Sequence, residues 1–553
     1  MHISKILANL GSFFQKREVI IVSLIFLFAL AIRFYNLTDN IIFAYDQGRD
    51  AQRVWDIVMN GDIKIVGPET DIPGVFNGPL FYYILAPIYF FSNFDPNAAA
   101  AFFVVLNASG VILLYLTAKI LFKDPRVGYI AGILWAVSYQ QLNFARFISN
   151  ASPMSIASMV FFLGLAMYIF KKKNSGLIIS AIGLGAATHF NFYLIYLGIF
   201  YPIFYLIYTP KIHKKTLTIS ISVLFLILSP WLIAELVWDF SAIKAFTEYF
   251  GHQSASFSVI ENFERYLDRT SEMSYFSFFS FNLTIAFLLT VSMIYMIKNA
   301  GKKDNSTRFL FLWAFSTAPL FSFSSGVLSG SVINSSIFAP FTLIWAAGIA
   351  ILLKNKNMKY LGYVLIALVL IFNFHLMYKD GFQNVRIFAM QRIFLGDEKK
   401  AINYTYSESK GKPFSICGVT NPLFVNSLWS HLYKTYGESE YGYLPFWAGT
   451  EQDRNINHLP YDISRAELRY LIIEPMGGIP ENARKSFIYN EDHITDLLDE
   501  QQFGETVVQK RKLKSEKSFT DTQNLTPYDI SILNAINKVD SRYTCNVQYN
   551  NVQ

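Results

Sequence analysis

VIIVSLIFLFALAI, residues 19–32, is an uninterrupted run of uncharged and almost entirely apolar residues. Lys16 and Arg17 lie just before it, and no small-residue cleavage site follows it. A removed signal peptide would end at such a site, so we expect the run to be retained as a transmembrane helix. The sequence therefore predicts a membrane protein from its first helix onward.

The composition of the rest of the chain agrees with that prediction. Of 553 residues, 53% are hydrophobic and only 16% are charged, whereas a soluble domain carries about 25% charged residues. The mean hydropathy is +0.31. The net charge is +7, but the basic residues lie in short clusters between apolar runs, which argues against a nucleic-acid partner. So apolar a composition also excludes a disordered chain.

Further apolar runs approach the ~20 residues that a membrane-crossing helix needs. About eleven candidate spans are predicted, at 18–36, 98–122, 127–145, 152–170, 175–189, 192–208, 216–236, 275–298, 308–325, 332–353 and 359–378. Lys and Arg cluster in alternate loops, such as 171–173 and 354–359. Because basic loops stay in the cytoplasm, this alternation predicts a cytoplasmic N-terminus and an external C-terminus.

One apolar segment is too short for a span. PLFYYILAPIYFF, residues 79–91, would be about 20 Å long as a helix, because each helical residue adds ~1.5 Å. If it crossed the membrane, every later basic loop would lie outside. We therefore expect it to lie in or near the outer interface, where Tyr and Phe are common.

The chain changes character after about residue 380. Charge rises, and the apolar runs shorten to strand length at 414–419, 470–475 and 505–510, with a helix expected around 421–436. The predicted domains are a transmembrane domain at 1–380, a small external α/β domain at 381–510 and a polar tail at 511–553. The predicted fold class is therefore mainly α, a polytopic helical bundle with a small α/β domain.

The polar residues that point to chemistry lie in the first outer loop, 37–97. It contains FAYDQGRDAQRVWDIVMNGD, residues 43–62. Asp46 and Asp50 are four residues apart and so share one face of a helix, and Arg49 and Arg53 form a neighbouring stripe. Trp55 and two valines supply an apolar face, which predicts an amphipathic helix lying on the membrane. An ordinary solvated helix with ion pairs would show the same spacing, but ionisable residues at a membrane boundary are more often functional.

The same loop continues with Asn77-Gly78-Pro79-Leu80-Phe81-Tyr82-Tyr83. Taken with the Asp46 segment and the predicted topology, this pattern resembles the GT-C class of polyprenyl-phosphate-sugar-dependent glycosyltransferases. Within that class it is similar to the protein O-mannosyltransferase and lipid A aminoarabinose transferase superfamily. The likeness covers about residues 18–210, and extends to the later helices only in general layout.

The chain departs from the family pattern at three places. Gln47 stands where the family has a second acid, and Asn77-Gly78 stands where some members have a lysine. The family's aspartate before a proline appears here as Ser152-Pro153. Asp46 is the acid that maps onto the family's catalytic carboxylate. The resemblance therefore implies that Asp46 is the general base, while a bound divalent metal is possible but unsupported.

The chemistry explains why these residue types are needed. A sugar joined to a polyprenyl phosphate already has a good leaving group, so one carboxylate suffices to take the proton of an attacking hydroxyl. A guanidinium binds the departing phosphate bidentately. The candidate phosphate-binding residues are Arg49, Arg146 and His189, and the supporting residues are Gln47, Asp50, Arg53 and Asn77. Arg146 also fits interfacial snorkelling, and His189 also fits a cap at a helix junction.

The sequence thus predicts a plasma-membrane glycosyltransferase, with its active site on the outer side and membrane lipids around it. It would move a hexose, pentose or aminosugar from a polyprenyl-phosphate donor to a hydroxyl of a lipid, glycan or protein, with inversion. No cofactor is predicted with certainty. A transporter or lipid flippase is one alternative, and a non-catalytic envelope protein is another.

Overall fold

A computed structural model of the protein describes residues 16–70, 72–252, 259–300, 304–316, 331–380, 393–423, 425–448, 458–460, 466–475 and 481–514. These residues form two compact units. The helical unit takes in 1–35, 62–85 and 99–383, and the sheet unit takes in 36–61, 86–98 and 384–553. The tail predicted at 511–553 lies outside the described residues from position 515 onward.

Helices dominate both units. In the described residues they are α1 Lys16–Phe34, α2 Tyr45–Met59, α3 Leu80–Phe91, α4 Pro96–Ala108, α5 Gly110–Phe122, α6 Pro125–Val137, α7 Tyr139–Ala145, α8 Met154–Lys171, α9 Ser175–Phe190, α10 Phe200–Tyr208, α11 Lys214–Val237, α12 Ser241–His252, α13 Val259–Ser277, α14 Leu283–Ala300, α15 Asn305–Ala314, α16 Ser331–Lys354, α17 Lys359–Lys379, α18 Leu395–Ser409, α19 Ser427–Leu432, α20 Glu438–Tyr441 and α21 Glu481–Ile494. Short 3₁₀ turns at Thr38–Asn40 and Phe192–Ile199, and a π turn at Tyr433–Gly437, complete the set.

Five helices in the described part of the chain are long and apolar enough to cross a membrane. They are Pro96–Phe122, Met154–Lys171, Lys214–Val237, Leu283–Ala300 and Lys359–Lys379. Shorter apolar helices lie between them. Only 11% of the apolar stretch in Lys214–Val237 is buried by protein. So large an exposed apolar surface is stable in lipid and not in water, which confirms a helical membrane fold.

Several predicted spans are interrupted in the described residues, and two of these breaks lie at a serine. The run at 127–145 is divided into α6 and α7 by Ser138, whose backbone is extended and whose side chain accepts the Gln141 N–H. A serine that caps a new helix in this way stops the previous one. The predicted span 98–122 likewise has a turn at Ser109, between α4 and α5. Helix α1 is not among the five because Arg17, Glu18 and Arg33 lie within it.

The sheet unit contains a five-stranded mixed sheet of β1 Phe414–Val419, β2 Phe446–Trp447, β3 Leu468–Ile473, β4 Thr495–Phe503 and β5 Thr506–Leu513. The strand order is β2-β1-β3-β5-β4. β1 pairs in parallel with β2 and β3, whereas β5 pairs antiparallel with β3 and β4. β1 is buried along its whole length, as an apolar strand in the centre of a sheet should be. The hydrophobic core of the sheet unit contains Cys417, Val419, Leu471, Ile473 and Phe487.

Candidate active site

Helix α2 is the element that carries most of the predicted site, and it forms where the sequence places it. Ala44 precedes the helix with an extended backbone, and its N–H donates to the Gln47 side-chain oxygen at 3.0 Å. A side chain at the third helical position that reaches back in this way is half of a capping box. Gln47, which replaces the family's second acid, therefore fixes the start of the helix and is itself buried.

Arg49 joins the two predicted acids. Its Nη1 lies 2.9 Å from an Asp46 oxygen, while its Nε and Nη2 donate to one Asp50 oxygen at 3.0 and 2.9 Å. The Asp46 side chain is 63% exposed and that of Asp50 is 4% exposed. The guanidinium also lies 5.4 Å from the centre of the Tyr45 ring. Asp50 and Tyr45 thus fix Arg49, and Arg49 holds an accessible carboxylate at the start of α2.

The opposite face of α2 packs within the sheet unit. The Trp55 ring lies 4.4 Å from that of Phe94 and 4.7 Å from that of His458. Gly48 faces α19, where a Cβ atom on it would meet the backbone of Leu428. Arg53 is half-buried on the same helix. The apolar face predicted from the spacing of Trp55 and the valines therefore packs against protein.

Two titratable residues lie buried near this packing surface. Burial lowers the pKa of His431 to about 3, with a further contribution from His458, and its Nε2 lies 3.2 Å from the Phe94 carbonyl oxygen. Burial raises the pKa of Glu474 to about 7, although the Asn421 N–H and the Trp429 indole N–H both donate to it. Sequence spacing does not reveal either residue, because their surroundings come from distant segments.

A second group of predicted site residues lies in the helical unit, around the Asn77-Gly78-Pro79 segment. The Asn77 side-chain oxygen accepts the Phe192 N–H at 3.0 Å, and its backbone carbonyl accepts the Gly67 N–H at 2.8 Å. The Gly78 N–H donates to the His189 carbonyl at 3.1 Å. A Cβ on Gly78 would lie 2.0 Å from the His189 ring, so only glycine fits here. The structure thus brings Asn77 and His189 together.

Both ring nitrogens of His189 have protein partners. The Leu80 N–H donates to Nδ1 at 3.4 Å, and Nε2 lies 2.6 Å from the Ile227 carbonyl oxygen. An acceptor at Nδ1 and a donor at Nε2 describe one neutral tautomer. His189 therefore fastens the Gly78 segment to two other parts of the bundle, which is the geometry of a junction cap.

Arg146 lies at the end of α1. Its guanidinium is fully buried and donates to the carbonyl oxygens of Ile32, Arg33 and Tyr35 at 3.1, 3.0 and 2.6 Å. The last carbonyls of a helix have no partner within it and carry partial negative charge, so a guanidinium stabilises them. Arg146 thus caps α1 and does not extend to an interface.

Arg33 is bound in the same way as Arg146, although its position in the sequence does not mark it as a site residue. It is fully buried, and it donates to the carbonyls of Trp135 and Ala136 at the end of α6 and to the Asn107 side chain, at 2.9–3.0 Å. An arginine at the end of an apolar run is itself a signal, because an ionisable residue in a membrane helix requires a specific partner. Arg33 and Arg146 together tie the ends of α1 and α6.

The described residues contain no group of three or more His, Cys, Asp or Glu side chains that could hold a metal ion. Asp46, Gln47, Arg49 and Asp50 lie together on α2, whereas Asn77 and His189 lie together in the helical unit.

Comparisons with known proteins agree with this fold. Residues 76–234 match the family model described as dolichyl-phosphate-mannose-protein mannosyltransferase. ArnT from Cupriavidus metallidurans, solved bound to undecaprenyl phosphate, superposes with a TM-score of 0.55 at 10% identity, covering 89% of this chain and 97% of that chain. Its apo structure gives the same TM-score and coverage at 11% identity. The arabinofuranosyltransferase AftD from Mycobacteria gives 0.44 at 12% identity, over 73% of this chain and 30% of that one.

No curated protein matches the sequence significantly. The family match begins at Phe76 and so does not include helix α2. The chain therefore has the helical membrane fold seen in ArnT, and its match to the mannosyltransferase model confirms the resemblance to polyprenyl-phosphate-sugar-dependent glycosyltransferases.

Proposed function

We propose that the protein is an integral-membrane glycosyltransferase that moves a sugar from a polyprenyl-phosphate donor to a hydroxyl acceptor. The fold shared with ArnT and the mannosyltransferase model over residues 76–234 support this class of reaction. The observation that carries the proposal is the Asp46–Arg49–Asp50 arrangement, in which an exposed carboxylate is 2.9 Å from a guanidinium fixed by a buried acid. That arrangement supplies a proton acceptor and a phosphate-binding group side by side.

In the proposed reaction the acceptor oxygen attacks the anomeric carbon of the sugar from the side opposite the phosphate. The bond from that carbon to the phosphate oxygen breaks, and its electron pair leaves with the polyprenyl phosphate. The proton of the acceptor hydroxyl passes to Asp46. One displacement inverts the configuration, and a general base of this kind contributes about 10²–10⁴-fold.

Arg49 has two roles in this proposal: it pairs with Asp46, and it binds the donor phosphate. In the structure its Nη1 pairs with Asp46. A donor phosphate offers stronger and bidentate acceptors, so we infer that phosphate binding draws the guanidinium from Asp46 and leaves that carboxylate available to the acceptor. Asp50 still accepts the hydrogen bond from Nε and so keeps the Arg49 side chain in position. Arg146 and His189 remain predicted phosphate contacts, but their bonds to protein favour a role in positioning the bundle.

The topology is also part of the proposal. We propose about eleven spans, a cytoplasmic N-terminus, an active site and C-terminal domain outside, and location in the plasma membrane. The 12-residue length of α3, about 18 Å at ~1.5 Å per residue, supports the expectation that residues 79–91 do not cross. Cysteines introduced beside Lys172 and Asp62 test it, because an impermeant maleimide should label only the latter in intact cells.

The decisive experiment follows the fate of the donor. The purified protein is placed in liposomes with membrane extract as acceptor and radiolabelled hexose, pentose or aminosugar polyprenyl phosphates. One donor should release polyprenyl phosphate at a rate that Asp46→Asn abolishes. Asp56→Asn, on the same helix, is the matched control; the Asp56 carboxylate accepts the Asn60 side-chain N–H at 3.2 Å. A donor that crosses the bilayer intact would show a transporter or flippase instead.

A further inference from the structure

The helical unit contains an apolar cavity of about 360 Å³ that plays no part in the proposed reaction. It lies among the ends of α8 and α10 and the beginnings of α9 and α11. Its walls include Tyr168, Ala181, Phe204, Leu217 and Leu224. An enclosed cavity of ~150 Å³ is enough to bind benzene, so this one has room for a substantial length of hydrocarbon chain.

Three of the hydroxyl groups in its walls are hydrogen-bonded to protein. The Tyr168 hydroxyl donates to the Lys211 carbonyl at 2.9 Å, and the Ser220 hydroxyl donates to the Thr216 carbonyl at 2.9 Å. The Tyr201 hydroxyl lies 3.0 Å from that of Ser180. A buried water needs two to four polar partners. With these groups engaged, the cavity favours a hydrocarbon occupant over water.

The cavity opens to the outside of the bundle. Tyr205, Ile212, Leu217 and Ile221 belong to its lining, and their side chains are between 38% and 47% exposed. Helix α11, which supplies two of them, is the span least covered by protein. The opening therefore faces the lipid, and a lipid chain can enter from the side without passing through the protein.

A basic rim lies at the same end of these helices. Lys171 ends α8, and Lys172 and Lys173 follow it. Lys211 precedes α11, and Lys214 and Lys215 are its first two residues. No Asp or Glu occurs in the sequence between Asp124 and Glu235. Basic clusters beside a membrane helix attract anionic headgroups. The charge of the rim therefore suits an anionic headgroup, as the apolar cavity suits a hydrocarbon chain.

We propose that this cavity and its rim form a binding site for an anionic phospholipid of the leaflet that faces loops 171–174 and 209–215. One acyl chain occupies the cavity, and the phosphate lies on the lysines. The site does not use Asp46 or Arg49, so the test of lipid binding is independent of the proposed glycosyl transfer.

Native mass spectrometry of the full-length protein in detergent tests the site. Dioleoylphosphatidylglycerol should bind about tenfold more tightly than dioleoylphosphatidylcholine, and the Lys171→Gln/Lys214→Gln double variant should lose about that preference. Lys356→Gln/Lys359→Gln, on another basic loop, is the matched control and should keep it. Equal binding of the two lipids, or unchanged binding by the first double variant, would overturn the proposal.

A cavity-filling variant separates the site from general adhesion of lipid. Ala181 lines the cavity and is almost fully buried, so Ala181→Leu should abolish tight phosphatidylglycerol binding. The melting temperature of this variant in lipid-free detergent should be equal to or above that of the wild type, which excludes unfolding as the cause. Retained phosphatidylglycerol binding, or displacement of that lipid by equimolar polyprenyl phosphate, would contradict the assigned occupant.

Discussion

Gly48 lies so close to Leu428 that a Cβ atom at position 48 would be 2.6 Å from the Leu428 Cα and 2.8 Å from its nitrogen. Both near atoms belong to the backbone, so they cannot rotate away as a side chain would. Gly48 stands between Asp46 and Arg49 in the sequence. Within the sheet unit, the contact joins α2, the helix that carries the proposed base, to α19.

We expect Gly48→Ala to destabilise the protein by about 1–3 kcal/mol, the usual cost of overpacking, and to slow transfer. At an exposed position in a helix, the same change would stabilise the protein by up to ~1 kcal/mol. A loss of stability would therefore indicate the close contact with Leu428. Thermal unfolding and donor turnover measure it. Gly198→Ala is the control, because its Cβ would meet the nearest atom at an ordinary 3.6 Å. Equal stability of Gly48→Ala and wild type would contradict the packing described.

Asp46→Asn should lower turnover by about 10²-fold or more, because the amide keeps the shape of the side chain and cannot accept the proton. Donor binding should stay near normal, so the loss belongs to kcat. Asp50→Asn should act differently. It releases Arg49 from its buried partner, and we expect a rise in the donor KM with a loss of kcat/KM of about tenfold, or ~1.4 kcal/mol. An Asp46→Asn protein that retains a tenth of wild-type turnover would exclude Asp46 as the base.

Substitutions of Arg49 and Arg146 should have different effects: the first on donor binding, the second on the stability of the protein. Arg49→Ala should raise the donor KM strongly, and Arg49→Lys should restore only part of the affinity, because a lysine lacks the planar fork. Arg146→Lys should instead lower the melting temperature, since it leaves carbonyls at the end of α1 without donors, and it should leave the donor KM unchanged. Steady-state kinetics and thermal unfolding of the same preparations distinguish the two. If Arg146→Lys shifted the KM as Arg49→Lys does, Arg146 would be a phosphate contact after all.

The buried Glu474 predicts a pH dependence of stability. Its pKa is raised by burial from 4.5 to about 7 in the folded protein, so the folded state holds the proton more firmly than the unfolded one. The stabilisation is complete below about pH 4.5 and is lost as pH rises through about 7, by up to ~3 kcal/mol.

Comparison of Glu474→Gln with the wild type at pH 5 and pH 8 measures this effect together with its coupling to Glu398, whose pKa is raised by burial and by the charge of Glu474. The wild type should lose melting temperature relative to the variant as pH rises, whatever constant offset the substitution brings. His431 acts with the opposite sign, because its lowered pKa costs stability as pH falls below about 6.5. His431 is present in both proteins, so its contribution cancels in the difference between their melting temperatures. A difference in melting temperature that does not change with pH would contradict the burial assigned to Glu474.

The sequence predicts helix α2 well because its polar and apolar residues repeat with the helical period, and it predicts strand β1 because 414–419 is an apolar run of strand length. Strand β4 gives no such signal. Most of its residues are exposed, so neither an apolar run nor an alternating pattern marks it, and its charges suit the edge of a sheet.

The site itself could be predicted only in part. The identities of Asp46, Arg49 and Asp50 follow from their spacing and from the family resemblance. The contact of Gly48 with Leu428 could not be predicted, because it joins segments that are far apart in the sequence and no local pattern encodes the partner. Local spacing also does not show that Arg146 and Arg33 bind main-chain carbonyls, since those acceptors carry no residue-specific signal.

The contact between Gly48 and Leu428 also sets an order of events during biosynthesis. Leu428 leaves the ribosome 380 residues after Gly48, which at about 5–20 residues per second is a delay of roughly 20–80 s. Throughout that interval helix α2 lacks the surface against which it packs. If Asp46 is the base proposed above, we therefore expect its activity to begin only after the first 428 of the 553 residues have been translated.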